Sequence, residues 1–392
     1  MIVQKLACGC GWEGPPEMRY TCPVCGDSLD VRYDYDAVDV AALDRALDTF
    51  RGVWDFHMLL PLREKKHILS LQEGGTPLVP TRQALGGNVL WKDETRNPTL
   101  SFKDRPNTVG ISVARELGYS GVGIASTGNG AASLAAYAAR GGMKCHICVP
   151  ESTPGEKLLH PVSCGAEVIL CPGEYSDAYH RGRELSERQG WANLTSTYLN
   201  PYTLEGDKTI AYELFAQCGR QVPDWIAVPL GAGPMLTGIY KGFWELQRLG
   251  FCDRLPRMIG VQAEGCAPIV RAWQQGRDTV ESWPGCNTLC GAIADSLTGY
   301  ARDGTRTLAT IRRSGGVAVA VSDTEALGAL GSLARWDGIL AEPASATAAA
   351  AIARLCREGI IRPGETAVGI ITAHGLKDAA CLEAHGKEVS GQ

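Results

Sequence analysis

The sequence predicts an α/β protein built on parallel sheets. Between residues 121 and 189, short apolar segments that suit buried strands alternate with segments whose apolar residues recur at helical spacing. Further apolar strands are predicted at 224–229, 259–265 and 367–371. Strands that alternate with helices at this spacing form parallel sheets covered on both faces, because parallel neighbours need a crossover connection.

The elements follow one another in a regular order. A helical pattern runs from Val38 to Leu62, and a turn at 74–78 leads into strands around Leu78 and at 89–92. In the central part of the chain, strands are predicted at 121–125, 143–149 and 166–170, and helices at 131–140, 156–164 and 176–189. Later helices are predicted at 239–247 and from the small-residue segment 341–346.

The composition indicates a large globular protein without a nucleic-acid or membrane partner. The chain has 392 residues, enough for two or three domains, and a formal net charge of −5. Lysine and arginine are scattered, no apolar run reaches membrane-spanning length, and Met1 to Gly11 lacks the apolar core of a signal peptide. We therefore expect a cytoplasmic protein. Its fifteen cysteines favour reduced thiols and a metal site over a disulfide framework.

Four cysteines near the N-terminus are candidate metal ligands. Cys8 and Cys10 form one closely spaced pair and Cys22 and Cys25 another, with a turn-rich segment between them. Thiolates in such a set bind structural zinc, although the first pair has a shorter spacing than zinc ribbons usually show. Two interpretations stay open: a structural zinc site, or a metal-free loop with reduced cysteines.

One lysine stands out as a candidate for covalent chemistry. Lys103 lies in the stretch from Asn97 to Pro106, where Ser101 suits a helix N-cap and a helix is expected from Asp104 toward Glu116. An ammonium is disfavoured near the positive end of a helix, so a desolvated lysine there becomes a usable nucleophile and base. The alternative is a solvated lysine on an ordinary surface helix.

Two loops that follow predicted strands suit bound anions. Ser126, Thr127, Gly128 and Asn129 connect a strand to a helix, which places backbone N–H groups and hydroxyls at a helix N-terminus. The alternative is a plain turn with a capping serine. The second loop is rich in glycine, so its N–H groups can close on a phosphate, although Pro234 offers none. Its candidate donors are Gly231, Ala232, Gly233 and Met235.

The stretch Asn97-Pro98-Thr99-Leu100-Ser101-Phe102-Lys103-Asp104-Arg105 resembles the lysine motif of threonine synthase and related fold-type II pyridoxal phosphate enzymes, which include cysteate synthase. The segments 74–78, 200–209 and 372–378 are also similar to sequence motifs of that family, and the resemblance covers nearly the whole chain. It implies two doubly wound open-sheet domains with the cofactor between them, plus a small N-terminal cysteine-rich ribbon. The implied bounds are 1–35 for the ribbon, 36–110 with 200–392 for the large domain, and 111–199 for the small domain.

The resemblance also implies roles for single residues. Lys103 carries the pyridoxal 5'-phosphate and acts as the base, Asn129 contacts the ring oxygen of the cofactor, and the hydroxyl of Thr372 faces the ring nitrogen. Glu264 is expected to be a solvated residue, and His374 a structural residue of its loop. The cofactor phosphate is expected on Gly231, Ala232, Gly233 and Met235, and the substrate carboxylate on Ser126, Thr127 and Gly128.

The implied reaction is elimination or replacement on a small amino acid with a leaving group at its β or γ carbon. Threonine synthase, which converts O-phosphohomoserine to threonine, is the leading hypothesis. The alternatives are β-replacement of the cysteate synthase kind, with phosphoserine and sulfite, a threonine or serine ammonia-lyase, a non-catalytic relative and a metal-dependent enzyme. Two residues depart from the pattern: Pro106 stands where the family usually has glycine, and Thr203 where bacterial threonine synthases have a phosphate-binding arginine. Relatives of this fold are commonly dimers, so a homodimer is expected.

Overall fold

The computed structural model describes residues 4–383, which divide into two compact units. Unit 1 holds the residues up to Gly75, Asn97–Thr99 and Lys103–Glu213. Unit 2 holds Thr76–Arg96, Leu100–Phe102 and the residues from Leu214 onward. The domain bounds implied by the resemblance stay a prediction.

The described residues form a regular alternation of strands and helices. The strands are β1 Gln4–Ala7, β2 Glu13–Gly14, β3 Asp30–Tyr33, β4 Leu78–Pro80, β5 Asn88–Asp93, β6 Gly121–Ala125, β7 Lys144–Pro150, β8 Glu167–Cys171, β9 Ala192–Asn193, β10 Trp225–Pro229, β11 Arg257–Ala263, β12 Val317–Val321 and β13 Thr366–Ile371. The α-helices are α1 Val40–Thr49, α2 Asp104–Glu116, α3 Asn129–Gly141, α4 Gly155–Ser163, α5 Tyr175–Gln189, α6 Thr203–Asp207, α7 Thr209–Gln217, α8 Pro234–Arg248, α9 Pro268–Gln274, α10 Ala301–Arg313, α11 Asp323–Ser332 and α12 Pro343–Arg357.

Unit 1 contains a small antiparallel sheet and a parallel one. The antiparallel sheet has the order β2-β1-β3, and the four N-terminal cysteines lie in the segments that connect its strands. The second sheet has the order β8-β7-β6-β9, and its strands pair in parallel. One face buries Ile124 and Ile147 against α2 and α3, while α5 covers the other face, where Gly182 lies against Ala125 and Cys148. The predicted parallel sheet with two covered faces is confirmed.

Unit 2 is built on a six-stranded sheet with the order β12-β11-β10-β13-β5-β4. All neighbours pair in parallel except β4, which runs antiparallel to β5 at one edge. Helix α12 lies on one face of this sheet, with buried alanines such as Ala346, Ala348 and Ala351. Their small side chains let the helix come close to β10 and β13. The α/β fold class predicted from the sequence is therefore observed in both units.

Two local expectations need correction. The helical pattern predicted from Val38 to Leu62 is broken, because α1 ends at Thr49 and a 3₁₀ helix, Val53–Leu59, starts after the extended Gly52. The cysteines are also not all reduced, since Cys266 and Cys286 form a disulfide. Among the residues 4–383, no helix has both the length and the apolar character needed to cross a membrane.

Candidate active site

Lys103 lies at the start of α2, at the N-cap position. Its backbone carbonyl accepts the first helical hydrogen bond from Asn107, and its Nζ lies 2.9 Å from the hydroxyl oxygen of Ser196. Ser101 does not cap the helix as predicted, because it is buried in a bridge to Ala373. Ser196 was not predicted as a site residue, although it belongs to a run of hydroxyl residues, 195–197, just before the 200–209 motif.

Asp104, the residue after Lys103, stabilises the stretch from Asn97 to Pro106, which we call the lysine loop. The buried carboxylate of Asp104 accepts hydrogen bonds from the backbone N–H of Thr99 at 2.7 Å, from the Thr99 hydroxyl at 2.6 Å and from Ser133 at 2.6 Å. Burial raises the pKa of Asp104 to about 6, although these hydrogen bonds oppose the shift. Since Ser133 is part of α3, Asp104 links the lysine loop to the helix that Asn129 begins.

Buried ion pairs account for several other motif residues of unit 1. Arg105 and Glu213 are both fully buried and form a bidentate pair, with nitrogen–oxygen distances of 2.6 and 2.9 Å. Glu205 accepts from Lys208 at 2.6 Å and from the Tyr33 hydroxyl at 2.7 Å. These charges are bound to each other inside the fold, so their role in the motifs is structural.

The two departures from the family pattern are accommodated without strain. Pro106 lies in the first turn of α2, where a helix has no partner for the N–H group that proline lacks. Thr203 is buried at the start of α6, and its hydroxyl donates to the backbone carbonyl of Asn200 at 2.9 Å. The Thr203 hydroxyl therefore serves the local fold, and no cationic side chain stands at this position.

The loop after β6 lies next to Lys103 in unit 1. Thr195, the neighbour of Ser196, accepts the backbone N–H of Ala125 at 3.1 Å, and Ser126 follows Ala125 directly. Ser126, Thr127 and Gly128 then lead into α3, whose first residue is Asn129. A side chain on Gly130 would come within 2.9 Å of the Ser126 hydroxyl, so glycine keeps this turn open. Unit 1 thus contains both Lys103, the candidate base, and the loop 126–128, which is the candidate binding site for the substrate carboxylate.

In unit 2, the glycine-rich loop joins β10 to the fifteen-residue helix α8. Gly233 adopts a positive φ of 95°, and a Cβ there would lie 2.4 Å from Thr307, so only glycine fits. A Cβ on Gly231 would meet Asp295 at 3.3 Å. The first-turn N–H groups of α8 have no helical partners and make this end attractive to a phosphate.

Thr372 directly follows β13, at the carboxyl end of the parallel strands where the glycine-rich loop also lies. Its hydroxyl lies 2.6 Å from that of Ser345 on α12, and both side chains are buried. Since β10 and β13 pair in parallel with Ala227 opposite Gly369, continuing this register places Thr372 level with Leu230, just before the glycine-rich loop. His374 accepts the N–H of Leu376 and caps a short 3₁₀ helix, and burial lowers its pKa. Glu264 is exposed.

The four N-terminal cysteines form a compact cluster. The sulfurs of Cys8, Cys10, Cys22 and Cys25 all lie within 4.8 Å of one another. Cys8 and Cys25 are 3.4 Å apart, and Cys10 and Cys22 are 3.6 Å apart. A zinc–sulfur bond of about 2.3 Å gives a tetrahedron with edges of about 3.8 Å. The cysteine cluster, as we call these residues, therefore has the dimensions of a four-thiolate zinc site.

Comparison with known proteins gives consistent matches. The sequence family described as "Pyridoxal-phosphate dependent enzyme" matches residues 69–373. The threonine synthase of Methanocaldococcus jannaschii is 41% identical over 384 residues, which cover 96% of this chain and 93% of that protein. The threonine synthase of Methanosarcina acetivorans is 40% identical over 375 residues, covering 94% and 91%. Maize serine racemase has a similar fold, with a TM-score of 0.68 at 20% identity over 81% of this chain and 93% of that chain.

Proposed function

Since this chain belongs to the family of pyridoxal-phosphate dependent enzymes, we propose that it acts as a threonine synthase and converts O-phospho-L-homoserine to L-threonine and phosphate. The observation that carries the proposal is the identity of 41% with a threonine synthase over 96% of the chain. A match of this extent includes the lysine loop, the glycine-rich loop and the segment around Thr372. Membership of the family makes the chain a pyridoxal phosphate-dependent enzyme, and its threonine synthase relatives support a lyase. The fold is that of fold type II.

The residues present fit the cofactor. In unit 2, the glycine-rich loop leaves room that any Cβ at Gly233 would fill, and it opens onto the N-terminus of α8. We propose that Gly231, Ala232, Gly233 and Met235 hold the phosphate there and that Thr372 contacts the ring nitrogen. In unit 1, Lys103 supplies the amine that binds the cofactor, and Asn129 contacts the ring oxygen.

The bound cofactor supplies an electron sink that acidifies the α-carbon of the substrate. Lys103 supplies the base that removes the α-proton, and Ser196, 2.9 Å from its Nζ, orients that amine. Ser126, Thr127 and Gly128 offer hydroxyls and backbone N–H groups at the start of α3 to the substrate carboxylate. The hydroxyl of Thr372, in place of a carboxylate, favours elimination and replacement over transamination.

A second candidate function follows from Thr203. Its hydroxyl is engaged by the carbonyl of Asn200, so it cannot give the bidentate charged contact that an arginine offers to a phosphate. This observation favours a shorter substrate, O-phospho-L-serine, in a β-replacement of the cysteate synthase kind with sulfite. Both functions share the cofactor, the base and the carboxylate loop, and they differ in the substrate that changes the cofactor spectrum.

A spectroscopic titration tests the proposal. The visible absorption band of the purified protein is followed during additions of O-phospho-L-homoserine, O-phospho-L-serine and L-threonine, together with phosphate release. We expect the band to be present, to be lost in Lys103→Ala and to be kept in Lys144→Ala, which removes an exposed lysine at the start of β7. Phosphate release from phosphohomoserine supports threonine synthase, and release from phosphoserine alone favours the second candidate. A colourless protein that cannot be reconstituted contradicts both.

We further propose that the cysteine cluster binds a structural zinc ion and that the enzyme is a cytoplasmic homodimer. The spacing of the four sulfurs supports the bound zinc ion. The homodimer is supported by the fact that fold-type II enzymes are commonly dimers. Metal analysis of protein purified without chelators, and light scattering during size-exclusion chromatography, test these two points. Less than one zinc per two chains, or a monomeric mass, would overturn them.

A further inference from the structure

The short strand β9 forms an outer edge of the parallel sheet in unit 1, next to β6. An edge strand has backbone groups that face away from the sheet and need another partner. Leu194 donates its N–H to the carbonyl of Gly123 at 2.7 Å, so the N–H of the preceding residue, Asn193, faces the other way. The hydroxyl oxygen of Tyr20 accepts this N–H at 2.7 Å. Because Asn193 is 1% exposed, bulk water does not compete for its N–H.

The residues after β9 connect this edge of the sheet to Lys103. The side-chain oxygen of Asn193 accepts the N–H of Thr195 at 2.9 Å. Thr197 donates its N–H to the carbonyl of Thr195 at 2.9 Å, which closes a tight turn with Ser196 at its centre. The Ser196 hydroxyl lies 2.9 Å from the Nζ of Lys103. The edge strand and the lysine amine are therefore joined through a short segment that hydrogen bonds fix at each step.

We propose that Tyr20 is a positioning residue that fixes β9 and thereby keeps the Ser196 hydroxyl within hydrogen-bond distance of the Lys103 amine. This inference rests on the proposed function, in which Lys103 is the base. Without the Tyr20 hydroxyl a buried N–H loses its acceptor, so the strand shifts until that group finds another partner. A displaced turn moves Ser196, and an amine that is less well oriented removes the α-proton more slowly. The N-terminal segment thus contributes to the reaction rate as well as to stability.

A second tyrosine joins the same N-terminal segment to a different part of unit 1 and provides a matched control. The hydroxyl of Tyr202, the residue before α6, donates to the backbone carbonyl of Glu17 at 2.9 Å. Glu17 is half-buried, so water can replace the lost donor. Tyr202→Phe therefore removes one hydroxyl from the contacts of this segment without removing the acceptor for β9.

Steady-state kinetics of the holoenzyme test the proposal, with the phosphoamino acid that the spectroscopic titration identifies as the substrate. Tyr20→Phe should lower kcat by about three- to fivefold with little change in KM, because a displaced Ser196 still orients the amine in part. In a Ser196→Ala background, Tyr20→Phe should have no further effect on kcat, because the hydroxyl through which it acts is absent. Tyr202→Phe should leave kcat unchanged. A merely structural role of Tyr20 would lower the thermal midpoint without this dependence on Ser196.

Hydrogen–deuterium exchange of peptides that cover residues 192–197 gives a readout that does not depend on activity. These backbone N–H groups should exchange slowly in the parent holoenzyme, because the Tyr20 hydroxyl and the turn around Ser196 hold them. They should exchange faster in Tyr20→Phe and at the parent rate in Tyr202→Phe.

Rapid exchange of residues 192–197 in the parent overturns the inference, and this measurement applies even if Tyr20→Phe does not fold. So does an unchanged kcat in Tyr20→Phe, an equal loss in Tyr202→Phe, or a loss that persists undiminished in the Ser196→Ala background. In each of these cases the parent keeps its visible band and its phosphate release, and the proposed function stands. A protein that takes up no cofactor overturns the proposed function and this inference together.

Discussion

The buried carboxyl of Asp104 should give the protein a pH dependence of opposite sign to that of most carboxylates. The perturbation is Asp104→Asn, which removes the titratable group and nearly preserves its shape. Burial raises the pKa of Asp104 from 3.8 to about 6 in the folded chain. In the unfolded chain the group has its ordinary pKa, so the folded state binds the proton more tightly.

The sign and the size follow from proton linkage. The stabilisation is fully present below the unfolded pKa of 3.8 and is lost as the pH rises through the folded pKa of about 6. Between about pH 5 and about pH 7 the unfolding free energy should therefore fall by about 1.3 kcal/mol through this group alone. The asparagine also loses an acceptor for the Thr99 N–H, which costs about 1–3 kcal/mol at every pH and cancels in the comparison.

The assay is the thermal midpoint of parent and variant across this pH range. The midpoint difference, parent minus variant, should fall by about 1.6 °C from about pH 5 to about pH 7. Asp337→Asn is the control, because the pKa of Asp337 is shifted in the opposite direction. Burial tends to raise the pKa of Asp337, but hydrogen bonds from Arg82, Gln83, Trp91 and Thr81 outweigh it and lower that pKa. Its stabilisation is complete above the ordinary pKa of 3.8 and is lost only as the pH falls below that value, so the midpoint difference for Asp337→Asn should stay constant from about pH 5 to about pH 7.

A midpoint difference for Asp104→Asn that stays constant or rises with pH would refute the reasoning. It would mean that the hydrogen bonds from Thr99 and Ser133 outweigh the desolvation of the carboxylate and keep it ionised. A midpoint difference for Asp337→Asn that also falls from about pH 5 to about pH 7 would instead show that the assay does not isolate the Asp104 carboxyl.

Three further predictions concern separate parts of the molecule. Ser196→Ala should lower kcat by about tenfold with little change in KM, because it removes the contact that orients the Lys103 amine. Steady-state kinetics measure this effect, and a change confined to KM would contradict it. Arg105→Met should destabilise the protein by about 3–5 kcal/mol, because Glu213 is left as an unpaired buried charge. The double change with Glu213→Leu should recover most of that loss, and denaturant unfolding that shows no recovery would argue against the pair. A strong chelator should lower the thermal midpoint and leave the visible cofactor band in place, because the cysteine cluster holds a structural ion. A chelator that abolishes the band would contradict a purely structural role.

Much of the fold was predictable, because the relevant signals are local in the sequence. The strands β6, β7, β8, β10 and β13 are short apolar runs, and each lies within about two residues of its predicted position. The glycine-rich loop and the loop after β6 were recognisable for the same reason. In both, small residues stand directly between an apolar strand and a helix.

The contacts that complete the candidate site were not predictable, because they join residues far apart in the sequence. Ser196 meets Lys103 across 93 positions, and the disulfide between Cys266 and Cys286 spans 20. Serine has no distinctive pattern, so neither Ser196 nor Ser345 could be recognised without the structure. The N-cap prediction for Ser101 failed because its bridge to Ala373 outweighs the local preference.

The antiparallel strand β4 has a consequence for how copies of the chain can associate. It forms an outer edge of the six-stranded sheet, is three residues long and ends at Pro80, which has no N–H group. A short edge that includes a proline offers few backbone donors to an incoming strand and so resists aggregation by sheet extension. We therefore expect the proposed homodimer to form through side-chain packing elsewhere on the surface, and not through a continuous intermolecular sheet at β4.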